Sequence, residues 1–298
     1  MTIPAAANAS APPSQRLALR LSQPGLIVAP GVYDGVSARL ADRFGFDCLY
    51  MTGYGSVASS LGLPDAGLAS YTQMLDRVRM IAGVVRAPFI ADGDTGYGGL
   101  LNVAHTVRGY EAAGASAIQL EDQVFPKKCG HTPNRRVISS DDMVRKIRVA
   151  VDARSSKDFL IVARTDARTE HGLDEALRRA ERYGDAGADI LFVESPESEE
   201  EMHIICQRVN KPLLANMVEG GRTPVKSREV LTQLGYKLAI FPVTAMLAAT
   251  QAMAGAYATL KTDGSSATLA QPLYPFQELS TLMGFQEVWD FEKKYAED

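Results

Sequence analysis

Cysteine, histidine and tryptophan are scarce in this 298-residue chain, at three, four and one. Cys48, Cys129 and Cys206 are odd in number and far apart. They exclude a disulfide framework and fit a reducing compartment. No run of about 18 apolar residues is present, so no segment is expected to span a membrane. Lys and Arg (31) are outnumbered by Asp and Glu (35), and the net charge of −4 argues against a nucleic-acid-binding surface. The opening "MTIPAAANASAPPSQ" has neither a basic n-region nor an apolar h-region, so it does not read as a secretory signal. Its Ala, Ser and Pro content predicts a disordered lead-in over 1–15. The expectation is a cytoplasmic, enzyme-sized protein with no nucleic-acid or membrane partner.

What the chain does have is a repeat of short apolar runs. They lie at 26–34, 46–53, 88–96, 117–123, 159–167, 189–195, 212–218 and 238–244. Stretches of helical period separate most of them, such as "LNVAHTVRGYEAAGA" and "DEALRRAERYGDAGA". Nearly continuous apolar runs are what strands buried on both faces look like. Strand alternating with helix eight times predicts an α/β fold, a (β/α)8 barrel over 16–262, in preference to a doubly wound open sheet. An aromatic-rich helical extension over 263–298 would follow. It needs a covering surface, either its own barrel or a second subunit.

Each run starts apolar and ends polar: Tyr33-Asp34, Thr52-Gly53, Asp92-Gly93-Asp94, Glu121-Asp122, Arg164-Thr165-Asp166, Glu194-Ser195, Asn216 and Thr244. In a barrel these ends gather on the C-terminal face, where such enzymes work. Asp92 and Asp94, two apart, would point the same way from a strand, and Glu121 ends the next one. Three converging carboxylates repel one another unless a cation sits between them. Oxygen donors with few histidines nearby favour Mg²⁺ or Mn²⁺ over zinc. The glycines of "DGDTGYGG" fit neither the Walker nor the dinucleotide pattern, and are read as letting the backbone pass close to a metal and its ligand.

Cys129 lies in "PKKCGH", after a strand end and outside any apolar run. A loop over the barrel mouth is expected there, with Gly130 giving it freedom to swing. Lys127, Lys128 and His131 would favour the thiolate. Cys48 and Cys206 read as packing residues. Arg164, a cation among carboxylates, either balances them or meets a substrate carboxylate.

The motifs "PGVYDGVSA", "MTGYGSVASSLGLPD", "ADGDTGYGG", "EDQVFPKKCGH", "VARTDAR", "ANMVEGGRTP" and "AIFPVTA" resemble, in order, those of the isocitrate lyase/phosphoenolpyruvate mutase superfamily. The resemblance covers nearly the whole chain past residue 15. It implies a barrel in a homotetramer whose C-terminal helices swap between subunits, with Mg²⁺ held by Asp92, Asp94 and Glu121. Thr52, Gly53, Tyr54 and Asp65 would hold the substrate carboxylate and its surroundings. Tyr50, Gly130, Arg164, Glu194, Asn216 and Pro242 would line the pocket. Cys129, on a closing loop with Lys127, Lys128 and His131, would protonate a carbanion-like product. The implied reaction is carbon–carbon cleavage of a 2-hydroxy dicarboxylate of the 2,3-dimethylmalate type. Two places where methylisocitrate lyases carry arginines for a third carboxylate hold Leu247 and Phe276. Pro242 stands where oxaloacetate hydrolases tend to carry serine. Carboxyphosphoenolpyruvate mutase is the alternative enzyme. A carboxylate-binding scaffold is the non-enzymatic reading, against which the intact acid trio and cysteine stand.

Overall fold

The computed structural model describes residues 11–130 and 135–296. Its strands are β1 (Ile27–Val32), β2 (Leu49–Met51), β3 (Phe89–Asp92), β4 (Ala117–Glu121), β5 (Leu160–Thr165), β6 (Ile190–Val193), β7 (Leu214–Asn216) and β8 (Leu238–Phe241). The helices are α1 (Pro13–Ser22), α2 (Gly35–Arg43), α3 (Gly53–Leu61), α4 (Tyr71–Ala82), α5 (Leu100–Ala112), α6 (Ser140–Ala153) and α7 (Arg168–His171). They continue with α8 (Leu173–Asp185), α9 (Glu199–Arg208), α10 (Arg228–Leu234), α11 (Thr244–Asp263), α12 (Phe276–Leu282) and α13 (Phe285–Tyr295).

All eight strands are parallel, in the order β6-β5-β4-β3-β2-β1-β8-β7. A parallel bridge between Leu191 and Leu213, with the Leu191 N–H on Pro212 O at 2.9 Å, joins the two ends and closes the barrel. Some polar ends, such as Asp92, Glu121 and Asn216, stay in the ladder, and others leave it. Asp34 and Thr52 become N-caps of α2 and α3, accepting from Ser37 N–H and Gly55 N–H. Asp94 lies beyond β3 with φ 49°, so strand alternation does not set its direction.

Two apolar layers hold this frame. An outer layer packs helix faces such as Val103, Val107 and Tyr110 of α5 against the sheet. An inner layer fills the barrel with Ile27, Ile90, Val162, Phe192, Leu214 and Ile240. Its floor is Leu17 of α1, fully buried in that inner cluster. Burying one such leucine is worth about 1.5–3 kcal/mol. Helix α1 starts at Pro13, inside the stretch expected to be a disordered lead-in, and residues 1–10 of that stretch lie outside the described residues.

The C-terminal helices are built differently. None of α11, α12 and α13 contains a buried residue. Tyr257, Phe276, Trp289 and Phe291 are all exposed. The tail meets α2 of its own chain through Arg39 to Leu282 O (3.2 Å) and Arg43 to Tyr274 Oη (3.2 Å). Among the described residues no helix is long and apolar enough to cross a membrane.

Candidate active site

The polar strand ends converge as the repeat predicts. A cavity of about 310 Å³ opens at the C-terminal rim, lined by Tyr50, Thr52, Tyr54, Asp65, Asp92, Glu121, Lys127, Lys128, Cys129, Gly130, Arg164, Glu194, Asn216 and Pro242. Gly53 and Asp94 stand just behind this wall, and His131 lies outside the described residues. A Cβ at Gly53 would come within 2.5 Å of Asp92 Oδ2, so only glycine lets the start of α3 approach that carboxylate.

The Cys129 segment leaves β4 and returns to α6 through a pinned neck. Val124 N–H donates to Arg136 O at 2.8 Å, Ile138 N–H to Asp122 O at 2.8 Å, and Gln123 bridges Val137 in antiparallel sense. The tip is folded onto the rim. Cys129 N–H donates to Asp65 O at 3.1 Å, and Ser195 Oγ to Gly130 O at 3.3 Å. A Cβ at Gly130 would press on Glu194 Oε2 at 3.0 Å and on Arg164. Close approach to Arg164 and Glu194 therefore explains this glycine. Its φ is not among the positive ones, so the expected conformational licence is not what the position uses.

Lys127 corrects a sequence expectation. Its ammonium is buried between Asp65 Oδ1 (2.6 Å) and Asp94 Oδ1 (2.7 Å). It ties the loop to the β3–α5 turn, and this charge is committed to two carboxylates instead of serving Cys129 alone. Burial pulls its pKa down, but Asp94 and Asp65 outweigh burial and hold it well above the ordinary lysine value. Asp94 is pushed up to about 7, by burial first and then by Asp92 and Asp65, against the pull of Lys127. Lys128 is exposed at the cavity edge, and its backbone is clasped by Gln123 through 2.8 and 3.0 Å bonds.

Arg164 stands opposite. Its Nε and Nη2 each donate to Asp166 at 2.8 Å, Nη1 pairs with Glu194 Oε2 at 3.2 Å, and Nε lies 3.5 Å from Glu121 Oε2. The guanidinium also covers the Phe192 ring at 5.0 Å. Glu194 is further held by Asn216 Nδ2 (3.0 Å) and by its neighbour's Ser195 N–H (2.8 Å), with Ser195 in the left-handed region at φ 60°. The first alternative for Arg164 is seen in this geometry: it balances three carboxylates, and it also lines the cavity.

Among the described residues no group of three or more His, Cys, Asp or Glu is placed to hold a metal ion. The expected direct three-carboxylate cage is therefore not formed, because Asp94 has turned to Lys127. The remaining donors still suit a hard cation. Asp92 and Glu121 face the cavity, 7% and 2% exposed. Glu121 Oε1 is buried without a hydrogen-bond partner. Burial raises the pKa of Glu121 well above its usual range despite Arg164. An under-compensated oxygen of this kind suits a hard divalent cation bound by one or two carboxylates and several waters.

Sequence reasoning missed the support beneath Arg164. Asp122 is fully buried and accepts from Thr165 Oγ1 (2.8 Å), Asp166 N–H (2.9 Å), Tyr183 Oη (2.8 Å) and Arg179 Nη1 (3.0 Å). Asp166 also pairs with Arg135. Burial pushes the Asp166 pKa up, but Arg164 and Arg135 win and hold it low. Asp122 and Asp166 were visible only as polar ends of their runs, and Arg135 and Arg179 lie outside any run. The far wall, missed as a unit, is Val218, Ile240, Val243 and Leu247, with Glu219 at its edge accepting from Thr244 Oγ1 at 2.6 Å. Phe276, paired with Leu247 in the missing-arginine argument, does not line this chain's cavity and is 81% exposed. Cys48 is buried, and burial lifts its thiol to about 12. Cys206 is also lifted to about 12 by burial, in keeping with packing roles for both.

The family model described as phosphoenolpyruvate phosphomutase matches residues 18–261. The 2,3-dimethylmalate lyase of Eubacterium barkeri is 49% identical over 276 residues, covering 93% of this chain and 96% of that protein. The structure of an oxaloacetate acetylhydrolase with 3,3-difluorooxalacetate superposes with a TM-score of 0.89 at 36% identity, covering 96% of this chain and 99% of the other. A phosphonopyruvate hydrolase complexed with oxalate and Mg²⁺ gives 0.86 at 29% identity, over 96% and 100%.

Proposed function

The chain belongs to the phosphoenolpyruvate phosphomutase family, and on that premise we propose that it cleaves a carbon–carbon bond of a 2-hydroxy dicarboxylate of the 2,3-dimethylmalate type. The observation that carries this reading is the two-sided cavity. Strands β3 to β5 bring charged residues to it (Asp92, Glu121, Arg164), the β7 and β8 side brings apolar ones (Val218, Ile240, Pro242, Val243, Leu247), and Cys129 lines the same cavity. A dicarboxylate bearing methyl groups satisfies both walls. A third carboxylate on the Leu247 side would meet apolar side chains instead of a counter-charge.

In this mechanism the first-turn N–H groups of α3, at Gly53 and Tyr54, receive the carboxylate next to the hydroxyl. Asp92 and Glu121, with Asp94 behind them, would hold a divalent cation, Mg²⁺ or Mn²⁺, which would supply positive charge to the substrate's oxygens. Arg164, fixed by Asp166 and Glu194, stabilises the charge that develops as the bond breaks. The hydroxyl proton passes to a base at the rim, and the C2–C3 bond electrons move onto the second fragment as an enediolate. The Cys129 thiol gives its proton to that carbon, and the folded tip keeps water away while it does so. Lys127 holds the tip closed through Asp65 and Asp94, with Lys128 at the cavity edge; His131 would belong to the same loop.

The apolar faces of α11 to α13 support a second proposal within this reading: they are covered by further copies of the chain, as in a homotetramer with exchanged C-terminal helices. Phe276 would then meet a neighbouring copy. Light scattering on the eluted protein tests it, a monomer being the contrary result.

The test of the activity is a panel of 2,3-dimethylmalate, methylisocitrate, isocitrate, oxaloacetate and phosphonopyruvate with Mg²⁺, with products read by mass. Pyruvate and propionate from dimethylmalate is the expected outcome. Rearrangement of phosphonopyruvate alone would transfer the reading to a mutase, and binding of all five without turnover would make the chain a carboxylate-binding scaffold.

A further inference from the structure

The tip that carries Cys129 is held from two sides, and the two holds are built differently. On the outgoing side Lys127 reaches Asp65 and Asp94, residues that line or back the cavity. On the returning side the first described residue is Arg135, which is 2% exposed although it leads back to an exposed Arg136. Its Nη1 pairs with Asp166 Oδ1, and its Nη2 donates to Thr169 Oγ1 at 2.7 Å. The same Asp166 Oδ1 accepts from Arg164 Nη2 at 2.8 Å. One carboxylate oxygen thus joins a guanidinium from the loop to the guanidinium in the cavity.

Asp166 has no freedom to follow either partner alone. Its backbone N–H is fixed on Asp122, which Thr165, Tyr183 and Arg179 hold from β5 and α8. Arg179 also donates to Ile138 O at 2.9 Å, on the returning arm just past Arg135. A shift of that arm therefore moves Arg135 off Asp166 and frees the Oδ1 side of the carboxylate that orients Arg164.

We propose that Arg135 is a positioning residue: by pairing with Asp166 it latches the returning arm of the Cys129 loop and, through that shared carboxylate, sets the orientation of Arg164. Cys129 reaches the cavity and Arg164 takes its working orientation in the same event. A guanidinium is suited to the task because one planar fork reaches Asp166 and Thr169 together, which an ammonium does not. The turnover arm of the test rests on the proposed lyase reading; the labelling arm does not.

The experiment compares wild type with Arg135→Gln, Arg135→Lys and Thr169→Val, each checked for an unchanged circular dichroism spectrum. The rate of Cys129 alkylation by iodoacetamide is followed by peptide mass, with Cys206 as the internal reference. In Arg135→Gln, Cys129 labelling is expected to rise about tenfold with Cys206 unchanged, and kcat to fall about ten- to a hundredfold with a smaller change in KM. Arg135→Lys should recover most of the protection, and Thr169→Val should lie between it and wild type. If Arg135→Gln does not fold, the graded order of the other two decides. Unchanged Cys129 labelling in the folded variants overturns the latch, whether or not turnover falls. Raised labelling in a protein whose wild type turns over no member of the substrate panel sustains the latch and removes the lyase reading instead.

Discussion

The floor and the rim of this barrel are made by the same eight strands and obey opposite rules. At the floor, Ile27 of β1 and Leu238 of β8 are fully buried and apolar, plugged by Leu17 of α1, and the chain there does nothing but fill space. At the rim the same strands end in Asp92, Glu121, Arg164 and Glu194, buried nearly as deeply but charged. Ionised groups stay buried only when paired. The rim meets this condition by giving Lys127 two carboxylates and Arg164 three, with Ser195 and Asp94 in left-handed backbone conformations. Conformational strain of that kind persists where the surroundings over-determine it, and it collects at functional sites. Stability is therefore expected to follow the floor, and chemistry the rim.

Substitutions and additions can break this division in order of effect. Exhaustive chelation is expected to abolish turnover while leaving the melting temperature nearly unchanged; full activity in chelator would remove the metal from the account. Cys129→Ser is expected to lower kcat by about 10²–10⁴, the range of a lost general acid, with the fold intact. A variant as fast as wild type would exclude the thiol. Leu17→Ala should do the reverse, costing about 2–5 kcal/mol of stability in urea titration with kcat preserved at temperatures where the protein stays folded. Leu247→Arg sits on the apolar wall and should shift preference toward methylisocitrate by roughly tenfold in kcat/KM, the worth of about one charge-assisted hydrogen bond. No shift would undo the role given to that wall.

Acid provides the mildest test. The folded Asp166 pKa is depressed, so the stability it contributes is complete above the unfolded carboxylate value of about 3.9. It is lost as pH falls through the folded value. Urea midpoints should therefore drop below roughly pH 4, and Asp166→Asn should flatten that drop.

The sequence made the barrel legible because burial on both faces leaves a continuous apolar run, and the switch from apolar to polar marked every rim position. Thr52, Asp92, Glu121, Arg164 and Asn216 were found this way, and they share one cavity with Cys129, which stood out by its cationic neighbours. Pairings across the fold were not legible. Lys127 neighbours Cys129 in the chain, yet its long side chain is captured by Asp65 and Asp94 from other segments. Asp122 and Asp166 were marked as polar run ends, but nothing in the sequence joined them to each other or to Arg135 and Arg179. The C-terminal helices show the converse. Their apolar residues announced a covering surface, and the described residues do not bury them.

The most direct measurement is the cleavage of 2,3-dimethylmalate in D₂O with Mg²⁺. Pyruvate and propionate carrying one new deuterium at C2 should form in wild type, and both should nearly vanish in Cys129→Ala at unchanged melting temperature. Equal rates and equal deuterium in the two proteins, or no pyruvate from wild type at all, would contradict the central claim.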